Sequence, residues 1–390
     1  MIDVVIRVIV RSLLFLLSSI TLVVILVYTY PYAHLDVLEN NWPNKSLDVH
    51  MPAKAQFVRA SLSNHITLNA LEGGAQNDKL LVLLHGFPET ALITWGHLID
   101  RFIDQGYHVI APDMRGYNQS SKPVSSSMYT MDHIATDIQL LITEYAGKEK
   151  ATVMGVDWGG VIAWHFSQRY PQHLDMFVNS ITFYNLKHVP VVLQLKQLWK
   201  SWYIFFLQLR GIAESAVSKN DFALLFHIAH FDELGRKGLF SRKLANRFIS
   251  ALSPTSSTPT KNAVHNGDPP VRATSDSSEG SEMDGGDALV SPIQYYRNFV
   301  YQQLFAPKPQ HNVPLSVPTL IICPERDRYI DARLAKLSFE QMVAPSVSNQ
   351  SQLVVIDSSH WITLENPNLL FDTFLSFLHK QKGTHSTVSG

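Results

Sequence analysis

The chain has 390 residues, which at about 150 per domain allows two to three domains or one large α/β domain with additions. Lys and Arg number 32 against 33 Asp and Glu, so no whole-chain basic surface for nucleic acid exists. The single cysteine, Cys323, excludes an internal disulfide framework and any cysteine-rich zinc module, and a charged content of 17%, below the roughly 25% usual for soluble domains, points to an apolar segment.

That segment is Ser12 to Tyr30, 19 residues without a charge. At about 1.5 Å per helical residue it is long enough to cross roughly 30 Å of hydrocarbon. It exceeds the h-region of a signal peptide and no A-x-A cleavage pattern follows, so a retained single-pass transmembrane anchor over 12–30 is expected, followed by a stem over 31–54. Arg7 and Arg11 precede the run while Asp36 and Glu39 follow it, which favours a cytoplasmic N-terminus and places the bulk of the chain in the lumen of the endoplasmic reticulum or another endomembrane. N-x-S sequons headed by Asn44, Asn118 and Asn349 are compatible with that orientation.

Beyond the stem the chain alternates short β-branched runs with helical patterns. Phe57 to Leu62 and Ile66 to Leu71 read as an antiparallel edge hairpin around Asn64. Leu80 to Leu84, His108 to Ala111, Ala151 to Val156, Met176 to Thr182, Thr319 to Cys323 and Gln352 to Ile356 read as buried strands separated by crossover helices. This is the pattern of an α/β fold, a mostly parallel sheet with helices on both faces. Residues 187–307 interrupt it with aromatic-rich helical spacing, as expected of a helical cap between two sheet strands, so the core divides into 55–186 and 308–380. Inside the cap, 253–289 is dominated by Ser, Thr, Pro, Gly and Asp, lacks aromatic residues and Ile, and reads as a disordered insertion; 381–390 reads as a flexible tail.

The segment Gly155-Val156-Asp157-Trp158-Gly159-Gly160 follows an apolar strand and opens a helix. It has the G-x-Nu-x-G shape of a nucleophile elbow, with Asp157 where ester hydrolases carry Ser, although an aspartate there could equally be a helix N-cap. His85-Gly86-Phe87-Pro88-Glu89 follows another strand, a position from which a loop supplies one main-chain donor of an oxyanion hole while the residue after the nucleophile supplies the second; these would be the Phe87 and Trp158 N–H groups. Asp327 follows the strand 319–323 and His360 follows 352–356, giving the chain order nucleophile, acid, His of a hydrolase triad.

These residues closely resemble the epoxide hydrolases of the α/β-hydrolase fold, through H-G-F-P-E at 85–89, D-M-R-G-Y at 113–117, G-V-D-W-G-G at 155–160 and S-H-W at 359–361; the anchor suggests the membrane-bound branch. The resemblance implies two cap tyrosines that hold an epoxide oxygen. Tyr296, in Gln294-Tyr295-Tyr296-Arg297-Asn298, matches the family's pattern, and Tyr203 matches the other within a stretch crowded with aromatics; packing of the cap is the alternative for both. Three departures touch the pocket: Pro324 stands where the family has Gly, Asn118 replaces a Gly after R-G-Y but can adopt a left-handed turn, and Thr90 to Trp95 is one residue longer than its counterpart.

A carboxylate nucleophile selects the chemistry. Serine opening an epoxide would leave an ether that water cannot cleave, whereas Asp157 would leave an ester with an attackable carbonyl. The expected reaction converts a lipophilic epoxide to a diol, with His360 as base for water, Asp327 orienting it, and Tyr203 and Tyr296 as proton donors. It requires no metal or organic cofactor; His227 and His230 are too few for a metal site. The expected partners are a small lipophilic substrate and a membrane, with no nucleic acid. The alternatives are a dehalogenase using the same aspartate and a catalytically silent binding protein of the same fold.

Overall fold

The computed structural model describes residues 50–180, 189–218, 287, 289–305 and 313–386. Their strands form one eight-stranded sheet in the order β1-β2-β4-β3-β5-β6-β7-β8. β1 (Ala55–Ser61) and β2 (Thr67–Gly73) make the expected antiparallel hairpin, with Val58 opposite Ala70 and His65 at φ 64 in the turn. β2 meets β4 (Tyr107–Pro112) antiparallel, and from β4 onward all pairings are parallel through β3 (Lys79–Leu84), β5 (Ala151–Val156), β6 (Leu174–Ser180), β7 (Thr319–Pro324) and β8 (Gln352–Ile356).

A parallel sheet needs apolar cover on both faces, which is why its strands read as unbroken hydrophobic runs. In β3 the pleat sends Leu80, Val82 and Leu84 into one core cluster and Leu81 and Leu83 into the other. The second cluster is closed by α1 (Ala91–Trp95), α2 (Ile99–Asp104), α10 (Ile362–Glu365) and α11 (Pro367–Ser386), with Phe102 packed on Phe371 and Phe374 at 5.3 and 5.4 Å. The first is closed by α3 (Met131–Leu140) and α4 (Trp158–Arg169), where Trp164 lies 4.5 Å from Phe177. Truncating an aromatic buried in this way costs about 3–5 kcal/mol. Thr90 and Thr130 start α1 and α3 by accepting the N–H groups of Ile93 and His133.

The cap is an insertion between neighbouring strands. α5 (Val191–Lys200), α6 (Trp202–Phe206), α7 (Ile212–Ser218) and α8 (Val290–Phe305) all fall between β6 and β7, yet Phe177 of β6 pairs directly with Thr319 of β7. α9 (Ala332–Met342) then bridges β7 and β8. The cap is fastened below by a buried ion pair: Arg115 holds Asp137 through two contacts of 2.5 and 2.6 Å, and the Tyr295 hydroxyl of α8 donates to the Arg115 carbonyl at 2.7 Å.

Three expectations change. Asp287 and Leu289 belong to the cap and not to a disordered insertion: Asp287 Oδ1 accepts the Leu289 and Val290 N–H groups at 2.8 and 3.0 Å, and Leu289 is buried in the first cluster. The rest of 253–289 lies outside the described residues. α11 continues to Ser386, past the expected end of ordered chain at 380, because nothing from 381 to 386 breaks a helix except Gly383. Asn118 stands at φ 43, in the left-handed turn it was expected to allow, but its amide donates to Asp113 Oδ2 at 2.8 Å and is committed to the interior, whereas Asn349 is exposed. No helix among the described residues is long and apolar enough to cross a membrane; the run 12–30 lies outside them.

Candidate active site

The elbow is a matter of backbone proximity. A Cβ on Gly159 would stand 2.1 Å from the Leu84 carbonyl oxygen, and one on Gly155 2.2 Å from the Gly159 oxygen, so β3, β5 and α4 meet only because these positions are glycine. The turn puts Asp157 at φ 50, ψ -122, a conformation costing a non-glycine residue about 1–3 kcal/mol. Its carboxylate makes no capping hydrogen bond to α4, which removes the N-cap reading. Instead Oδ1 accepts the Phe87 N–H at 2.8 Å and Oδ2 lies 3.5 Å from His360 Nε2.

The loop bearing Phe87 is shaped by its own residues. A Cβ on Gly86 would meet Asp157 Cβ at 2.7 Å, so this glycine also permits a close approach. His85 accepts the Met114 N–H through Nε2 at 2.9 Å, which leaves Nδ1 as the donor to the Gly86 oxygen at 2.8 Å. Burial lowers the His85 pKa, in keeping with this neutral form. Trp158 opens α4, so its N–H is among the donors a helix leaves without an intrahelical acceptor.

Asp327 and His360 come together from the ends of β7 and β8. Asp327 Oδ2 faces His360 Nδ1 at 2.8 Å, while its Oδ1 accepts the N–H groups of Tyr329 and Ile330 at 2.7 and 2.8 Å. The carboxylate is thereby fixed in one rotamer and oriented toward the imidazole. Burial disfavours a charged His360, but Asp327 and Asp157 on its two sides outweigh that and hold its pKa well above the ordinary value. The two acids flanking the ring thus favour its protonated form.

Both cap tyrosines reach this centre. Tyr296 of α8 packs edge-on against Trp158 and Phe87 at 4.8 and 5.3 Å, and Tyr203 of α6 stands 5.8 Å from Tyr296 in the same manner. Burial raises both phenol pKa values and the Asp157 carboxylate raises them further, so both hydroxyls keep their protons. His227 and His230 lie outside the described residues, and no cluster of three or more metal-type ligands occurs among the described ones.

Sequence reasoning passed over several neighbours. Tyr329 stacks edge-on to both His360 (4.6 Å) and Tyr203 (5.8 Å), bridging the triad and the cap. Gln197 and Lys200 of α5 grip the acid loop: Lys200 Nζ donates to the carbonyls of Asp327 and Ile330 at 2.7 and 3.0 Å, and Gln197 exchanges hydrogen bonds with Tyr329 and Asp331. Glu89 is buried beside Asp157 with Oε1 unpaired among the described residues, and burial together with the Asp157 charge pushes its pKa up to about 8. Its place directly after His85-Gly86-Phe87-Pro88 was the available signal; for the α5 pair no local signal existed.

A family model described as the alpha/beta hydrolase fold matches residues 79–367. The chain belongs to the α/β-hydrolase family. Within it, the chain is 31% identical over 333 residues to the AB hydrolase superfamily protein YfhM of Bacillus subtilis, covering 84% of this chain and 99% of that one. It is 28% identical over 335 residues to epoxide hydrolase 4 of Homo sapiens, covering 83% and 79%. Among solved structures, a Bacillus megaterium epoxide hydrolase in complex with an inhibitor superposes with a TM-score of 0.62 at 23% identity, covering 83% of this α/β hydrolase and all of that chain. A putative acyltransferase from Salmonella enterica superposes with the same TM-score at 18% identity, so the fold by itself does not choose the reaction.

Proposed function

We propose that this α/β hydrolase opens lipophilic epoxides to vicinal diols through an ester on Asp157. The observation that carries the reading is an aspartate, at the elbow where an ester hydrolase has serine, whose charge is felt by two packed cap tyrosines that keep their protons. Asp157 attacks an epoxide carbon while Tyr203 and Tyr296 hydrogen-bond the ring oxygen and relay a proton to it. The proton that His360 holds at rest ends on the product hydroxyl. Esterification neutralises Asp157 and so removes one of the two charges that raise the His360 pKa, and the neutral imidazole then takes a proton from water. Hydroxide adds to the Asp157 carbonyl, whose oxyanion is held by the Phe87 and Trp158 N–H groups at roughly 3 kcal/mol per donor. Collapse expels the diol alkoxide, which takes the proton left on the Asp157 carboxyl, and the starting carboxylate and imidazolium return.

The same reading places the enzyme on a membrane. Residues 12–30 would span it once, with the catalytic domain on the lumenal side of an endomembrane as the charges at 7 and 11 favour. A bilayer concentrates lipophilic epoxides, which suits the aromatic cap.

The test is trapping. His360→Gln, exposed to an epoxide turned over by the wild type, should accumulate the ester as a mass increase on the peptide carrying Asp157. No adduct in a folded variant would sink the assignment. Halide release from a haloalkane with no diol from any epoxide would point to the dehalogenase alternative, which the side chain of Phe87, lacking a halide donor, does not favour.

A further inference from the structure

α5 is apolar on the side it should not be if water were its only neighbour. At 100° per residue, Leu193, Gln197 and Lys200 fall on one arc, and this arc faces the acid loop through the Gln197 and Lys200 hydrogen bonds. On the opposite arc, about 120° wide, lie Val191, Val192, Leu195, Leu198 and Trp199, which are 44–79% exposed, Trp199 most of all. The helix has no acidic residue, and Lys196 sits at the margin of the apolar arc. Val192, Leu195, Lys196 and Trp199 also line a groove of about 510 Å³ whose one acidic side chain, Asp331, is paired with Arg333 at 2.5 Å.

We propose that this outer face of α5 docks onto the surface of a lipid bilayer, and specifically the bilayer that residues 12–30 anchor. The proposal rests on that anchor reading. Two observations favour a bilayer over a protein. The described chain begins at the right end of the molecule: His50 lies against Gly96 and stacks on His97 at 5.9 Å, just before α2. α2 leads down to the N-terminal end of β4, so His50, beside the residues that precede α2, lies toward the C-terminal ends of the strands, from which the loop bearing His360 also emerges. The 19 residues from 31 to 49 separate His50 from the uncharged run and can reach at most about 65 Å, which keeps the domain beside the bilayer. Second, five side chains on a ten-residue helix cover only a few hundred Å², well short of the about 800 Å² per partner of a stable protein interface. An exposed Trp, aliphatic residues and flanking Lys is the composition that settles at the headgroup boundary.

The inner face gives this docking a consequence. The helix that meets the lipid is the one that holds the carbonyls of Asp327, Tyr329 and Ile330, so the bilayer surface and the triad are two sides of one element.

The test uses the full chain in lipid nanodiscs, with Trp199→Cys or, as reference, Phe57→Cys on β1 carrying an environment-sensitive fluorophore; native Cys323 is buried and stays unlabelled. Quenching by nitroxide-bearing lipids should be at least twofold stronger at 199 than at 57, and Leu195→Glu should reduce the difference. Equal quenching at both positions overturns the proposal. So does a position 199 that is already shielded from aqueous thiol reagent in the detergent-solubilised monomer, which would mean that the chain covers its own face, or disulfide cross-linking through 199 between copies. Resistance of the bound chain to carbonate extraction separately tests the anchor: extraction overturns the anchor, while retention with equal quenching overturns the docking alone.

Discussion

The amine of Lys200, at the end of the first cap helix, donates to the main-chain oxygen of Asp327 at 2.7 Å, although 126 residues lie between them. The cap thus holds the loop bearing Asp327 by its backbone while the Asp327 side chain hydrogen-bonds His360. Lys200→Met removes a charged donor from two carbonyls, a loss of about 1.5–3 kcal/mol. We expect kcat for epoxide hydrolysis to fall about tenfold, with a smaller change in KM. Steady-state kinetics beside a thermal melt decide it: a lower Tm with unchanged kcat would make the contact a fastening of the cap alone.

Glu89 carries a pH signature. Its pKa of about 8 in the folded chain lies above the ordinary 4.5, so between these values the folded state binds a proton that the unfolded state has lost, and stability falls as pH rises through the window. Glu89→Gln should erase this fall. Relative to wild type, Tm should be nearly unchanged at pH 5 and higher by on the order of 5 °C at pH 8.5. Parallel curves for the two proteins would show that Glu89 ionises normally.

The elbow tolerates no side chain at Gly159. Gly159→Ala sets a Cβ 2.1 Å from the Leu84 oxygen and 2.5 Å from its carbonyl carbon, both backbone atoms of a central strand. A loss of more than about 3 kcal/mol is expected, seen as a large drop in Tm or in soluble yield. Gly106→Ala is the matched control, since φ 83 strains the alanine by about 1–2 kcal/mol but nothing lies within 4 Å of its Cβ.

Asp137→Asn should be costly without touching the reaction centre. It leaves the fully buried Arg115 guanidinium without its counter-charge, a loss of about 3–5 kcal/mol. Because Tyr295 of the cap hangs on the Arg115 carbonyl, urea denaturation should show the lower midpoint together with altered substrate KM. An unchanged midpoint would contradict the buried pairing.

The sheet was legible because parallel strands covered on both faces must be apolar throughout, and β3, β5 and β7 leave almost no other reading. Asp157, Asp327 and His360 were legible because glycine spacing and strand ends are local facts, and the structure brings the three side chains together. Lys200 and Gln197 were not, since an ordinary lysine and glutamine gain their importance only when α5 folds across a loop more than a hundred residues away. Arg115 and Glu89 stood inside quoted motifs, but their burial, which gives each its energetic weight, is a property of the packed core. Asp287 and Leu289 were hidden by the polar sequence that runs into them.

The direct pairing of Phe177 with Thr319 has an evolutionary reading. Since β6 and β7 are neighbours whatever the intervening chain does, lengthening that chain alters only the entropy of closing a loop, about 0.6 kcal/mol for each doubling. A lineage can therefore lengthen or rewrite the polar stretch within 253–289, or exchange whole cap helices, while the elbow, acid and histidine stay in register. Substrate choice can drift at little cost to the chemistry beneath it.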